Sequence, residues 1–120
     1  MPTRIAITDR NFADEVLGAP RTVIVHFHGS RCPLCRRVAA ALRVLAAELP
    51  ETVRLASVDI RSCRSLVRRL GIVMVPTLII FVRGVERLRL RGVFRLDELR
   101  STVRRLSAGP SVEAGQRGAG

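Results

Sequence analysis

Cys32-Pro33-Leu34-Cys35 carries the clearest chemistry in this sequence. Two thiols separated by two residues can close a small disulfide ring and reopen it by exchange with another disulfide. The pair lies between a β-branched run and a helical pattern, so the unsatisfied amides and partial positive charge of a helix start face the first sulfur. That field, with Arg31, Arg36 and Arg37 beside it, lowers a thiol pKa from about 8.5 toward neutrality or below. Cys32 is then the attacking group, and Cys35 resolves the mixed disulfide. The same spacing also suits half of a zinc site, which His26 and His28, two apart on one strand face, would complete. Pro76 follows Val75 far along the chain, where it either punctuates the entry to a strand or supplies a cis peptide that shapes a groove.

The surrounding patterns describe what positions these residues. Residues 5–7 form a short apolar start, and Thr8 can cap a first helix over Asp9–Leu17, closed by Gly18. Thr22–His28 is rich in β-branched residues and reads as a central strand buried on both faces. A long helix follows, with Ser30 or Cys32 as its cap and Val38, Leu42, Leu45 and Leu49 along one face, stopped by Pro50. Val53–Ile60 reads as a strand, and Arg61–Leu70 as a short helix closed by Gly71. Pro76–Val82, a turn at Arg83-Gly84, and Val85–Arg91 form a hairpin whose second strand alternates like an edge strand. The last helix, Arg95–Leu106, turns Leu96, Leu99, Val103 and Leu106 inward. This order predicts an α/β domain over residues 1–106, with a parallel first half and an antiparallel C-terminal hairpin. Residues 107–120 contain four Gly and one Pro without periodicity and are expected to be a disordered tail.

Composition narrows the function classes. The 120 residues are 48% hydrophobic and 26% charged, enough for one aliphatic core and too apolar for a disordered chain. Three Cys are too few for a disulfide-stapled scaffold. Without an N-terminal apolar run or a bilayer-length segment, the expectation is a soluble cytoplasmic protein that does not engage a membrane. All 21 cationic residues are Arg, and the net charge is +11. The excess is uneven: residues 61–106 hold 12 Arg against 3 acids, whereas residues 1–60 hold 8 against 6. That half should attract acidic partner proteins, or nucleic acid non-specifically. The Arg residues are not interleaved with stacking aromatics, which argues against specific nucleic-acid binding.

Taken in order, several segments resemble the thioredoxin family. They are Ile7-Thr8-Asp9 with Phe12, Val25-His26-Phe27, Cys32 to Cys35, Val58-Asp59-Ile60, Leu70-Gly71-Ile72, Val75-Pro76-Thr77, Phe81, Gly84 and Gly92. The resemblance implies the thioredoxin fold and a thiol–disulfide oxidoreductase, acting as a reductase of protein disulfides without a cofactor. It implies that Cys32 is the nucleophile, Cys35 the resolving thiol and Pro76 a cis-proline facing them. Arg31, Pro33, Leu34, Val75, Pro76 and Gly92 would line the substrate site, with the Val75 backbone pairing with an extended substrate. A thioredoxin reductase would be the electron donor.

The sequence departs from the family pattern at four places. Arg31-Cys32-Pro33-Leu34-Cys35 stands where the family carries Trp-Cys-Gly-Pro-Cys, His28 replaces an aromatic, and Ala40 replaces a helix-kinking Pro. His26 replaces the buried acid that assists the resolving thiol. It reads either as a core histidine or as the proton carrier for Cys35. Cys63 reads as a small buried residue or as a regulatory thiol activated by Arg61 and Arg64. The altered dipeptide predicts a reduction potential less negative than the roughly −270 mV of thioredoxin, near the roughly −200 to −230 mV of glutaredoxins. The alternative function is a binding module or chaperone-like adaptor, with an Arg-rich surface and little redox activity.

Overall fold

The computed structural model describes residues 4–108. Its elements follow the chain order β1 (Arg4–Ala6), a π-helical turn (Ala13–Leu17), β2 (Thr22–His28), α1 (Pro33–Glu48), β3 (Val53–Asp59), α2 (Arg64–Leu70), β4 (Thr77–Val82), β5 (Val85–Arg91) and α3 (Leu96–Ala108). One five-stranded sheet has the order β1-β3-β2-β4-β5. β3 pairs in parallel with β1 and β2, while β4 runs antiparallel to both β2 and β5. The sequence expectation of a mixed sheet, parallel first and antiparallel last, describes this arrangement.

β2 lies in the middle of the sheet, and its alternating side chains serve two cores. Val23, Val25 and Phe27 join Phe12, Val16, Val58, Leu66 and Phe81 on the face covered by the π-turn and α2. Ile24 joins Val38, Leu42, Leu45, Leu55, Ile80, Leu99 and Val103 on the face covered by α1 and α3. By the two-residue period of a strand, His26 shares the second face with Ile24, under α1. The hairpin turn has Arg83 at φ 49° and Gly84 at φ 82°. Positive φ at both central positions fits the right-handed twist of the paired strands. Gly84 is also required for space, because an added Cβ would collide with the carbonyl oxygen of Leu17.

Two helical expectations are corrected. The segment Asp9–Leu17 is not one regular α-helix: the Phe12 amide donates to the Thr8 carbonyl at 3.3 Å and the Glu15 amide to the Asn11 carbonyl at 2.8 Å, and a π-turn over Ala13–Leu17 is closed by the Gly18 amide on the Ala13 carbonyl at 2.7 Å. Thr8 Oγ1 accepts from the amides of Arg10 and Asn11, both at 3.1 Å, and Asn11 Oδ1 accepts from the Thr8 amide at 2.8 Å. These reciprocal bonds form a capping box, so Thr8 caps the start of the segment as expected. α2 begins at Arg64 rather than Arg61, because Asp59 Oδ1 accepts the Arg61 amide at 2.9 Å and keeps residues 59–62 in a turn. Asp9 Oδ1 then accepts the Leu66 amide at 3.0 Å, capping α2 from a distant part of the chain. α3 runs two residues past the expected end and takes in Ser107 and Ala108. The rest of the expected tail lies outside the described residues. Among the described residues, no helix is long and apolar enough to cross a membrane.

Candidate active site

The loop Gly29–Arg31 leaves β2 at its C-terminal end and delivers Cys32 to the start of α1. Arg31 takes φ 51°, a left-handed conformation uncommon for a residue with a side chain. Cys32 is the N-cap of α1, with extended backbone, and Pro33 occupies the first helical position, where a missing amide costs nothing. The Cys35 amide donates to Cys32 Sγ at 3.0 Å, and the Arg36 amide donates to the Cys32 carbonyl at 3.2 Å. Cys32 and Cys35 are joined as a disulfide with Cα atoms 5.2 Å apart. Cys32 is half-buried and Cys35 buried. Cys32 is therefore the more accessible sulfur of the pair. No acid lies in the first turn of α1, while Arg31, Arg36 and Arg37 are all exposed. The site is electropositive, which favours a thiolate.

Sheet register brings Pro76 to this place. Phe27, near the end of β2, pairs with Thr77 at the start of β4, so the Val75-Pro76 segment sits beside the loop that carries Cys32. The Val75-Pro76 bond is cis. Thr77 Oγ1 donates to the Met74 carbonyl at 2.7 Å and pins the turn. A Cβ built on Gly29 would lie 3.5 Å from Val75 Cγ2 and 3.8 Å from Ile60 Cδ1, so both side chains cover the loop just before Cys32. The Gly92 amide donates to the Pro76 carbonyl at 2.9 Å. Gly92 takes φ 81°, and an added Cβ there would meet nothing within 4 Å. The space over this glycine is open to an approaching main chain. A groove of about 190 Å³ joins Leu34 and Arg37 of α1 to Val93, Phe94 and Leu96.

His26 is 1% exposed, with its ring 5.5 Å from that of His28 and its strand neighbours Ser57 and Leu78. The four-ligand zinc set is not assembled: among the described residues, no group of three or more His, Cys, Asp or Glu comes together to hold a metal. Cys63 lies apart from the pair, at the start of α2 and under the opposite face of the sheet. Its Sγ donates to the Ile7 carbonyl at 3.3 Å. The expectation that Arg61 and Arg64 lower its pKa is reversed. Burial pushes the thiol up, and the negative charges of Asp9 and Asp59 push it the same way. Arg61 is instead committed to Asp59, at 3.2 Å, and its hydrogen bond holds that carboxyl below its ordinary range.

The sequence reading missed Val73, Met74 and Val93. They are 80%, 43% and 71% exposed, and they lie on the Pro76 and Gly92 segments, making an apolar rim around the ledge. A signal was available: apolar residues in short Gly- and Pro-bounded loops, where polar residues are the norm.

The comparisons with known proteins agree with this geometry. The Thioredoxin family model matches residues 3–105. A thioredoxin of Mycolicibacterium smegmatis is 34% identical over 90 residues, covering 73% of this chain and 80% of that protein. A bifunctional thioredoxin reductase/thioredoxin of Mycobacterium leprae is 31% identical over 88 residues, covering 73% of this chain and 19% of that protein. Among solved structures, a mutant thioredoxin from Halobacterium salinarum shares the fold, with a TM-score of 0.78 at 20% identity, covering 87% of this chain and 90% of that one. With its Cys32–Cys35 pair at the head of α1, the chain belongs to the thioredoxin family and is a thiol–disulfide oxidoreductase.

Proposed function

We propose that the chain reduces disulfides of other proteins in the cytoplasm, with Cys32 as nucleophile and Cys35 as resolving thiol. The observation that carries this reading is the difference in access between the sulfurs: Cys32 half-exposed at the helix cap, Cys35 buried behind it. In the reduced protein the Cys32 thiolate attacks one sulfur of the substrate disulfide. A mixed disulfide forms, and the other substrate sulfur leaves as a thiolate and takes a proton. Cys35 then loses its proton and attacks Cys32 Sγ. The second substrate thiolate departs, and the protein is left in the bridged form. Two electrons have passed from the protein dithiol to the substrate.

His26 is the proton acceptor for Cys35 in this scheme, a role supported by its burial on the sheet face under α1. Val75, Pro76 and Gly92 hold the substrate main chain, with Arg31, Pro33 and Leu34 opposite. The electron donor that restores the dithiol is a thioredoxin reductase. The relative that carries both names in one chain supports that pairing.

Reduction of insulin by dithiothreitol tests the reading. The wild-type chain accelerates precipitation of the insulin B chain, and Cys32→Ser does not. A wild-type chain as inert as the variant, while still binding proteins, would instead make it an adaptor.

A further inference from the structure

Building on the reductase reading, we propose that a trough between β5 and α3 is a second docking subsite, which holds an apolar segment with acidic residues from the substrate protein. The trough has a volume of about 550 Å³, and its floor and walls include Leu88, Leu90, Phe94, Leu99 and Thr102. It shares Val93 and Phe94 with the groove lined by Leu34 and Arg37, so the two depressions adjoin at these residues. Val93 is 71% exposed at the junction, where a soluble surface would ordinarily carry a polar residue.

Charge selects the occupant. Arg37 lines the groove beside Leu34, and Arg95 and Arg105 line the trough. The one acid lining either depression, Glu98, lies 3.5 Å from Arg95, which Asp97 also engages at 3.4 Å, so the free positive charge comes from Arg37 and Arg105. Among the described residues, no carboxylate lies within ion-pair distance of Arg37 or Arg105. Arg87 and Arg91 of the adjoining edge strand are exposed as well. A basic segment is repelled here and a wholly polar one leaves the leucines wet, so apolar anchors flanked by Asp or Glu fit best. Because the trough lies away from the sulfurs, it discriminates between substrates through contacts made outside the reacting disulfide.

Direct binding tests the trough without redox chemistry. A fluorescein-labelled peptide of Leu and Glu, lacking Cys, is titrated with the full chain and followed by anisotropy, beside a Leu/Lys control. The Leu/Glu peptide binds and the control does not. Arg105→Glu weakens binding about fivefold or more, and Thr102→Trp, which fills the trough, does the same. Arg105 is exposed, so its variant reports on docking even where Thr102→Trp misfolds. Equal binding of both peptides, or binding unchanged in Arg105→Glu, overturns the proposal. So does a concentration-dependent dimer in sedimentation that Arg105→Glu dissolves, which would assign the face to a second copy of the chain.

Kinetics then separate the two readings. A peptide disulfide extended with Leu/Glu should exceed the same disulfide extended with Gly/Ser by about tenfold in kcat/KM. Arg105→Glu brings the ratio close to one. If peptides bind as expected but no disulfide is reduced, the reductase reading alone fails. If both disulfides are reduced at equal rates, the second subsite fails alone.

Discussion

The Cys35 amide donates to the sulfur of Cys32 at 3.0 Å. The same helix start that caps α1 thus points a donor at the sulfur that the proposed reaction uses as its thiolate. Hydrogen bonding to the charged form favours it. The partial positive charge of the helix end and the surrounding arginines act in the same direction. Helix cap and proposed nucleophile are thus one side chain.

Replacing Cys35 with Ser should leave the first attack intact and abolish resolution. The variant accumulates a covalent adduct with a substrate protein, which mass spectrometry detects and dithiothreitol releases. Cys32→Ser accumulates none. Adducts formed equally through either sulfur would contradict the assigned order.

His26→Ala should slow resolution of a preformed mixed disulfide about a hundredfold, the lower part of what a positioned base contributes. The first attack by Cys32 keeps its rate. Stopped-flow measurement of the two steps separates a proton carrier from a packing residue, since loss of packing would slow both. His26→Asp restores an acceptor and should recover part of the resolution rate.

The Cys32–Cys35 couple should equilibrate with glutathione buffers at a potential less negative than about −270 mV, near about −200 to −230 mV. Pro33 and Leu34 between the sulfurs, with Arg31 before them, favour the thiolate and hence the reduced form. Alkylation of quenched samples followed by mass measurement gives the value. A result more negative than about −270 mV would refute the expectation.

Glu86 and Arg89 should give the protein part of its resistance to acid. Arg89 Nε lies 2.8 Å from Glu86 Oε2, and Arg89 donates through Nη1 to the Leu70 carbonyl at 2.7 Å, tying β5 to the end of α2. The hydrogen bond from Arg89 holds the Glu86 carboxyl below its ordinary value of 4.5. With the folded-state pKa lowered, the contribution is fully present above the unfolded value and is lost as pH falls through the folded one. Urea titrations should show wild-type stability declining below about pH 4.5, and Glu86→Gln should flatten that decline. Arg89→Ala should cost about 1 kcal/mol at neutral pH.

Cys63 should resist iodoacetamide in the native oxidised protein and react once the chain is unfolded, as read by mass spectrometry. The residue is 1% exposed and its thiol is shifted upward. Cys63→Ala removes a core sulfur and a donor to the Ile7 carbonyl, at a cost of about 1 to 2 kcal/mol in urea denaturation.

The parts of this molecule that were legible in the sequence are those that short-range chemistry decides. The Cys32–Cys35 spacing, the β-branched run of β2 and the Arg83-Gly84 turn each carry their own signal within a few residues. Where the reading went astray, a distant partner was responsible. Asp9 looked like the first turn of its own helix but caps α2 through Leu66, while Thr8 caps the first segment locally with Asn11. Arg61 and Arg64 flank Cys63 in sequence, yet Arg61 is held by Asp59 and the sulfur lies in a core formed with Ile7 and Phe12. The trough beside α3 had no local signature at all, because it exists only where two separate elements leave a gap.

The two borders of the sheet have a consequence for behaviour at high concentration. β1 is only three residues long, and β5 carries a bulge opposite Ile80 and Phe81, with Arg87 and Arg91 exposed along it. A truncated border and a kinked, like-charged border are poor templates for another molecule's strand. Crowded native molecules should therefore resist stacking into fibrils, even though the sheet interior contains aliphatic runs such as Leu78-Ile79-Ile80.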